Sequence, residues 1–186
     1  LLAFVLAFVL VLTAAGCQEE NTDWSAEYQG ERLAPGVYIL HMMTAYNEAS
    51  TKVQESSSSS SSSSEDSSSS SSSSGDVDVL TAEIDGVSGS QWIINRTQGL
   101  VKEYYAVEDK FDELGLALDE EDEDNIRSTV ENAWSSYQDY YEQNGIGKAS
   151  LTLVVTNSAK SQKIFESIYY EGGTDPVSQE EINEQL

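Results

Sequence analysis

The stretch SQWIINRTQGLVKEYYAVEDKFDEL, residues 90–114, decides the fold. Its apolar side chains fall at Ile93, Leu100, Tyr104, Val107, Phe111 and Leu114, with Thr97 filling the gap. Steps of three and four put all of them on one face of a 3.6-residue helix. Gly115 follows, at the place where a helix C-terminus favours a residue free to take positive φ. The pattern predicts a helix that starts near Ser88 or Ser90, buries one stripe and stops at Gly115.

The same reading extends in both directions. Upstream, Ala34-Pro35-Gly36 opens a helix, since Pro is tolerated in a first turn. Its predicted stripe is Ile39, Met42/Met43, Tyr46, Ala49 and Val53. Downstream, a helix is predicted from about Asp119 to Gln143. The acidic run Asp119–Asp124 forms its first turn, where carboxylates are stabilised by the helix dipole. Ile126, Val130, Ala133/Trp134, Tyr137 and Tyr141 form its stripe, and Asn144-Gly145 ends it. The fourth helix runs from about Lys148 to Tyr170, with Leu151, Val154/Val155, Ser158, Phe165 and Ile168/Tyr169 as its stripe. Gly172-Gly173-Thr174-Asp175-Pro176 breaks it, and Ser178-Gln179-Glu180-Glu181 reads as a capping box.

Residues 28–33 read as a short extended stretch with a Gly turn, and 78–87 as a loop or short extended pieces. No run alternates long enough to make a sheet. The predicted class is all-α: four long helices with short connections, packed as antiparallel neighbours.

Between the first two helices lies ESSSSSSSSSEDSSSSSSSSG, residues 55–75. It has no apolar payload to offset ordering entropy and is expected to be disordered. We read it as a long loop inside one domain, 28–186, because residues 28–54 are too few to fold alone. Loop length is cheap, at about 0.6 kcal/mol per doubling.

The chain has 33 acidic and 9 basic residues and one His, a net charge of −24. That excludes a nucleic-acid binder working by phosphate neutralisation. One Cys and two Pro exclude a disulfide scaffold, a Cys-based zinc site and collagen. No cofactor is implied.

Residues 1–12, LLAFVLAFVLVL, are uniformly apolar but shorter than the ~20 residues a spanning helix needs. Thr13-Ala14-Ala15-Gly16-Cys17 follows. A short apolar run and then small residues read as a signal peptide, residues 1–16. Ala14-Ala15-Gly16-Cys17 resembles a bacterial lipobox, with Ala14 where Leu is usual. The resemblance implies cleavage after Gly16 and lipidation of the Cys17 thiol. Two acyl chains at about 0.8 kcal/mol per CH₂ anchor stably. The alternative is an uncleaved N-terminal anchor with an incidental Cys. Residues 17–27 would then be a lipidated, acidic tether on the extracytoplasmic face of the cell membrane. There is no Met and no basic n-region before Leu1, and the last capping box is followed by only two turns. Both ends are expected to be truncated.

No catalytic chemistry emerges from spacing. Taken as an EF-hand, Asp119–Val130 places Asp124 at position six and Val130 at position twelve, where Gly and Glu are required. No metal site is expected there. His41 is the sole His and lacks a Cys or His partner, so it reads as a packed or rim residue. Paired carboxylates of the glycosidase kind lack a sugar-binding scaffold around Trp24, Trp92 and Trp134. The abundant Tyr residues read first as core with the hydroxyl at the rim. Tyr105, Tyr140 and Tyr170 are the candidates for an amphipathic rim that meets unfolded chains.

Several strings, in order, resemble one family. Tyr28-Gln29-Gly30-Glu31-Arg32-Leu33 before the helix at Pro35-Gly36-Val37-Tyr38 resembles the opening of SurA-type chaperone domains. Trp92-Ile93, Phe111-Asp112-Glu113-Leu114-Gly115-Leu116, Tyr140-Tyr141-Glu142-Gln143-Asn144-Gly145-Ile146 and Phe165…Tyr169-Tyr170 resemble the N-terminal helical domain of PrsA-type foldase lipoproteins. Asp175-Pro176-Val177-Ser178 resembles the lead into a parvulin domain. The resemblance implies a SurA N-terminal-domain-like fold and a membrane-anchored extracytoplasmic chaperone that binds unfolded or newly exported polypeptides. It also implies a peptidyl-prolyl isomerase domain outside this chain, whose His- and Gly-rich motifs do not occur here. No catalytic residue is carried over. The net charge would favour cationic clients. The alternative reading is a non-enzymatic surface lipoprotein, an adaptor or binding module.

Overall fold

A computed structural model describes residues 25–59, 78–170 and 172–177. The signal peptide 1–16, Cys17, the tether up to Trp24, residues 60–75 of the Ser tract and the capping box at Ser178 lie outside them.

The order of elements is β1 (Ala26–Tyr28), β2 (Glu31–Leu33), α1 (Pro35–Ser59), β3 (Glu83–Ile84), β4 (Val87–Ser88), α2 (Gly89–Glu113), α3 (Glu120–Gln143) and α4 (Lys148–Tyr169). The protein is all-α in class, with four helices and two small antiparallel hairpins among the described residues.

The extended stretch at 28–33 is one half of a hairpin, β1–β2, with Tyr28 opposite Glu31. Its two-residue turn places both Gln29 (φ 51°) and Gly30 (φ 89°) in the left-handed region, the geometry that suits strand twist. Asp85-Gly86 turns β3–β4 in the same way, at φ 51° and 83°. Trp92 Nε1 donates to Asp85 at 3.0 Å and Lys52 pairs with Asp85 at 3.2 Å, tying this hairpin to α2 and α1.

Helix ends follow local chemistry. Ser88 Oγ accepts from the Gln91 N–H at 3.3 Å. Asp119 and Asp122 exchange reciprocal backbone bonds of 2.9 and 3.0 Å in a capping box. The C-termini of α2 and α3 close alike. Gly115 and Gly145 take positive φ, and the N–H groups of Leu116 and Ile146 reach back to the carbonyls of Phe111 and Tyr141. Helix α1 runs on through Glu55–Ser59, so the start of the stretch expected to be disordered is helical. Extending a formed helix adds one hydrogen bond per residue fixed, and the Ser56 hydroxyl donates to the Lys52 carbonyl at 2.8 Å.

The core is made by α1, α2 and α4. Helix α1 runs antiparallel to α2: Val37 packs with Val101, Tyr104 and Tyr105, while Ala45, Ala49 and Val53 pack with Ile93 and Ile84. Helix α4 runs parallel to α2, since Val154 meets the first cluster and Lys160 pairs with Glu108 farther along both helices. Asn157, buried, donates from Nδ2 to the Tyr104 carbonyl at 2.9 Å and to Glu108 at 2.7 Å. The expectation that consecutive helices pack as antiparallel neighbours therefore fails for α2 and α3. Helix α3 is a crossover that packs on α4 and scarcely elsewhere.

Three stripes need correction. In α1 the buried row is Val37, Ala45, Ala49 and Val53, whereas Met42 and Tyr46 are exposed. Small residues let α1 approach α2 closely, and that contact outweighs the larger side chains one position away. In α4 the buried positions are Leu151 and Asn157, while Ser158 and Phe165 are exposed. In α3 only Val130 is fully buried and Tyr137 faces solvent, because this helix has one neighbour instead of two.

Candidate functional site

The outward position of α3 creates the site. Between α3 and α4 runs a groove of about 420 Å³ lined by Leu118, Ile126 and Val130 on one side and Lys148, Thr152 and Thr156 on the other. Three of its four charged lining residues are paired, Glu123 being the exception among the described residues. Lys148 Nζ meets Glu131 at 2.6 Å and Arg127 meets Asp124 at 2.7 Å. At the N-terminal end of α3, Lys163 clamps both Asp119 (2.9 Å) and Asp122 (2.7 Å). This hydrogen bond holds the Asp119 carboxyl below its ordinary range, helped by the Asp122 N–H.

One turn beyond Val130, α3 changes character. From Glu131 to Gly145 the only aliphatic side chain is Ala133. The apolar surface there is aromatic: Trp134 and Tyr141 stack with ring centroids 5.9 Å apart and planes at 10°. Tyr137 and Tyr140 lean on Tyr141 at 6.3 and 6.2 Å. Tyr137 has non-helical angles (φ −136°, ψ 21°), a kink that re-aims the last turns of α3. Tyr137 is 59 % and Tyr140 51 % exposed, high for rings gathered in a cluster. Among the described residues, neither the Trp134 indole N–H nor any of the three phenols makes a hydrogen bond. The arrangement offers flat apolar faces with four unused donors at their edges.

The rim residues read from the sequence do not form one rim. Tyr105 is a correction: it is buried, 6 % exposed, and its hydroxyl donates to the Glu31 carbonyl at 3.2 Å. The β1–β2 hairpin folds over that end of α2 and covers it, with Tyr28 5.1 Å away. Tyr140 and Tyr170 are both exposed, but they flank opposite ends of α4, roughly 30 Å apart at 1.5 Å per residue. Tyr170 belongs to a second aromatic group with Phe165 (6.0 Å), which itself lies 4.9 Å from Tyr169. Nine residues separate Phe165 from Thr156, half a turn round α4, so this group faces away from the groove. Cys17 and Gly16 lie outside the described residues.

Trp134, Tyr137 and Tyr141 were expected in the core. Their surface role had a readable signal: a helical segment whose only large apolar residues carry polar tips, spaced by Ser, Gln and Asp.

Among the described residues, His41 is the one imidazole. His41 is partly buried beside Tyr104, ring edge to face at 5.9 Å, and its Nε2 has no partner. Burial lowers its pKa against the opposing pull of Glu103. Burial, with Glu108 adding to it, pushes Tyr104 up to about 12, so that phenol stays protonated. Among the described residues no group of three or more His, Cys, Asp or Glu is placed to hold a metal ion. No described helix is long and apolar enough to cross a membrane.

In comparison with known proteins, no family model, no curated protein and no solved structure matches the chain.

Proposed function

We propose that this chain is a holding module for unfolded polypeptide, working outside the cytoplasm while tethered to the membrane through a lipid on Cys17. The observation that carries the reading is the open groove between α3 and α4, lined by Leu118, Ile126 and Val130, together with the half-exposed aromatic rings farther along α3. Apolar surface shown to solvent in contiguous patches serves interaction, and aromatic side chains give large contact area at low entropic cost. The order of elements in the sequence supports the same reading: an apolar leader, a lipobox-like Ala14-Ala15-Gly16-Cys17, an acidic tether and then the helices. The likeness of several strings in the sequence to PrsA-type foldases supports the same reading.

The test is aggregation of a denatured client diluted into buffer with residues 18–186. The chain is expected to suppress light scattering, and Trp134→Ser with Tyr140→Ser to lose most of that suppression at unchanged helicity. Absence of suppression by the parent chain, or full suppression by the variant, sinks the holding role. Separately, a fatty-acid analogue fed to expressing cells should label the parent chain and not Cys17→Ser. Equal labelling of both removes the anchor.

A further inference from the structure

The aromatic end of α3 carries more specific information than the groove beside it. We infer that Trp134, Tyr137, Tyr140 and Tyr141 bind an extended, proline-containing, cationic stretch of polypeptide in the polyproline II conformation. This rests on the reading that the face binds polypeptide, and it names the class of segment.

Three observations point there. The first is the set of donors with no protein partner among the described residues, one indole N–H and three phenols, on rings that are exposed (Tyr137, Tyr140) or half-buried (Trp134, Tyr141). A bound helix has its carbonyls satisfied internally and offers these donors little. A polyproline II segment has no internal hydrogen bonds, so its carbonyls are free to accept. Aromatic faces with such donors pack against pyrrolidine rings in the known modes of proline-rich recognition. The second is charge. No Lys or Arg occurs from Ser128 to Gly147, while Glu131, Asp139 and Glu142 do. Lys148 answers Glu131, and Gln138 donates to Glu142 at 2.9 Å, which leaves Asp139 exposed with no ion pair among the described residues. The local field therefore selects a cation.

The third concerns the other occupants. A second copy of the chain brings another −24 charges to an acidic face and is repelled. The chain's own remaining segments do not fit either: all nine basic residues and both prolines lie within the described residues, so 1–24, 60–77 and 178–186 contain neither.

The experiment uses the full chain in mild detergent and fluorescence anisotropy of a labelled peptide of repeated Lys-Pro-Pro. Peptides of repeated Lys-Ala-Ala and Glu-Pro-Pro, of equal length, are the controls. Lys-Pro-Pro is expected to bind about tenfold tighter than either control. Trp134→Ala and Tyr140→Ala should each weaken it about tenfold, as for aromatic anchors at an interface. Tyr140→Phe, which keeps the ring and loses the donor, should weaken it less, about threefold. Circular dichroism checks that each variant keeps its helices. Equal binding of Lys-Ala-Ala, or unchanged binding by both folded alanine variants, overturns the inference. If the chain suppresses client aggregation yet ignores Lys-Pro-Pro, the inference falls and the holding function stands. If Lys-Pro-Pro binds as described and aggregation is not suppressed, the inference stands and the holding function falls.

Discussion

His41 shows how one side chain sets a pH dependence. Its ring lies between α1 and Tyr104 with Nε2 unpartnered, and burial lowers its pKa below the usual 6.5 or so. The folded chain therefore resists a proton that the unfolded chain accepts. As pH falls through about 6.5, the unfolded state binds more protons and stability drops, until the lowered folded pKa is reached. Asp119 works in a separate window. Its carboxyl is held down by Lys163, so its contribution is present above about 3.8 and is lost only as pH falls through its lower folded value. We expect Tm to decline as pH falls through about 6.5, and His41→Phe to flatten that part of the curve while leaving the acid limb. An unchanged slope in the variant removes His41 as its source. The sequence disclosed that His41 is alone; which wall it faces depends on Tyr104 of α2, 63 positions farther along the chain (104 − 41) and invisible to local pattern.

Among elements, the contact between the first turns of α1 and α4 is a close one to test. A Cβ built on Gly36 would stand 2.5 Å from Ser150 Oγ and 2.7 Å from its Cβ. Rotating the serine hydroxyl relieves the first contact but not the second. Gly36→Ala should cost about 1–3 kcal/mol, the usual range for forcing atoms into a packed site. Ser150→Gly should lose stability alone, yet recover part of the loss when combined with Gly36→Ala. Urea denaturation of the four chains measures the coupling, and strictly additive losses would show that the two residues do not meet. Caps and turns were legible because their chemistry is local: Asp119, Gly115 and Asn144-Gly145 end helices where expected. The buried row of α1 was legible at Ala49 and Val53 but not at Val37 and Ala45, since Met42 and Tyr46 are the more apolar choice by size. Close approach to α2 favours Val37, Ala45 and Ala49.

At the scale of the whole molecule, charge and exposed aromatic surface act together. A net −24 repels itself within a small volume, and salt screens that repulsion over about 8–10 Å at physiological strength. Raising salt from about 0.01 to 0.15 M should raise Tm, because the exposed ion pairs it weakens contribute little. The same addition should weaken capture of a cationic client. A Tm that falls with salt would mean that pairs such as Arg96–Glu48 (2.7 Å) and Lys163–Asp122 outweigh the general repulsion.

The order of residues alone settled the four helices, their caps and the acidic character of the chain, because hydrophobic period, capping groups and charge act over a few neighbours. It pointed to Tyr140 at an exposed rim but put Tyr105 there as well and Trp134, Tyr137 and Tyr141 in the core. Tertiary packing alone decided those four places. Hairpin β1–β2 covers Tyr105, and among the described residues α3 packs chiefly on α4, so a stripe that would be interior between two helices stays half in water. A residue's burial is a property of what lies against it, and that partner comes from distant sequence.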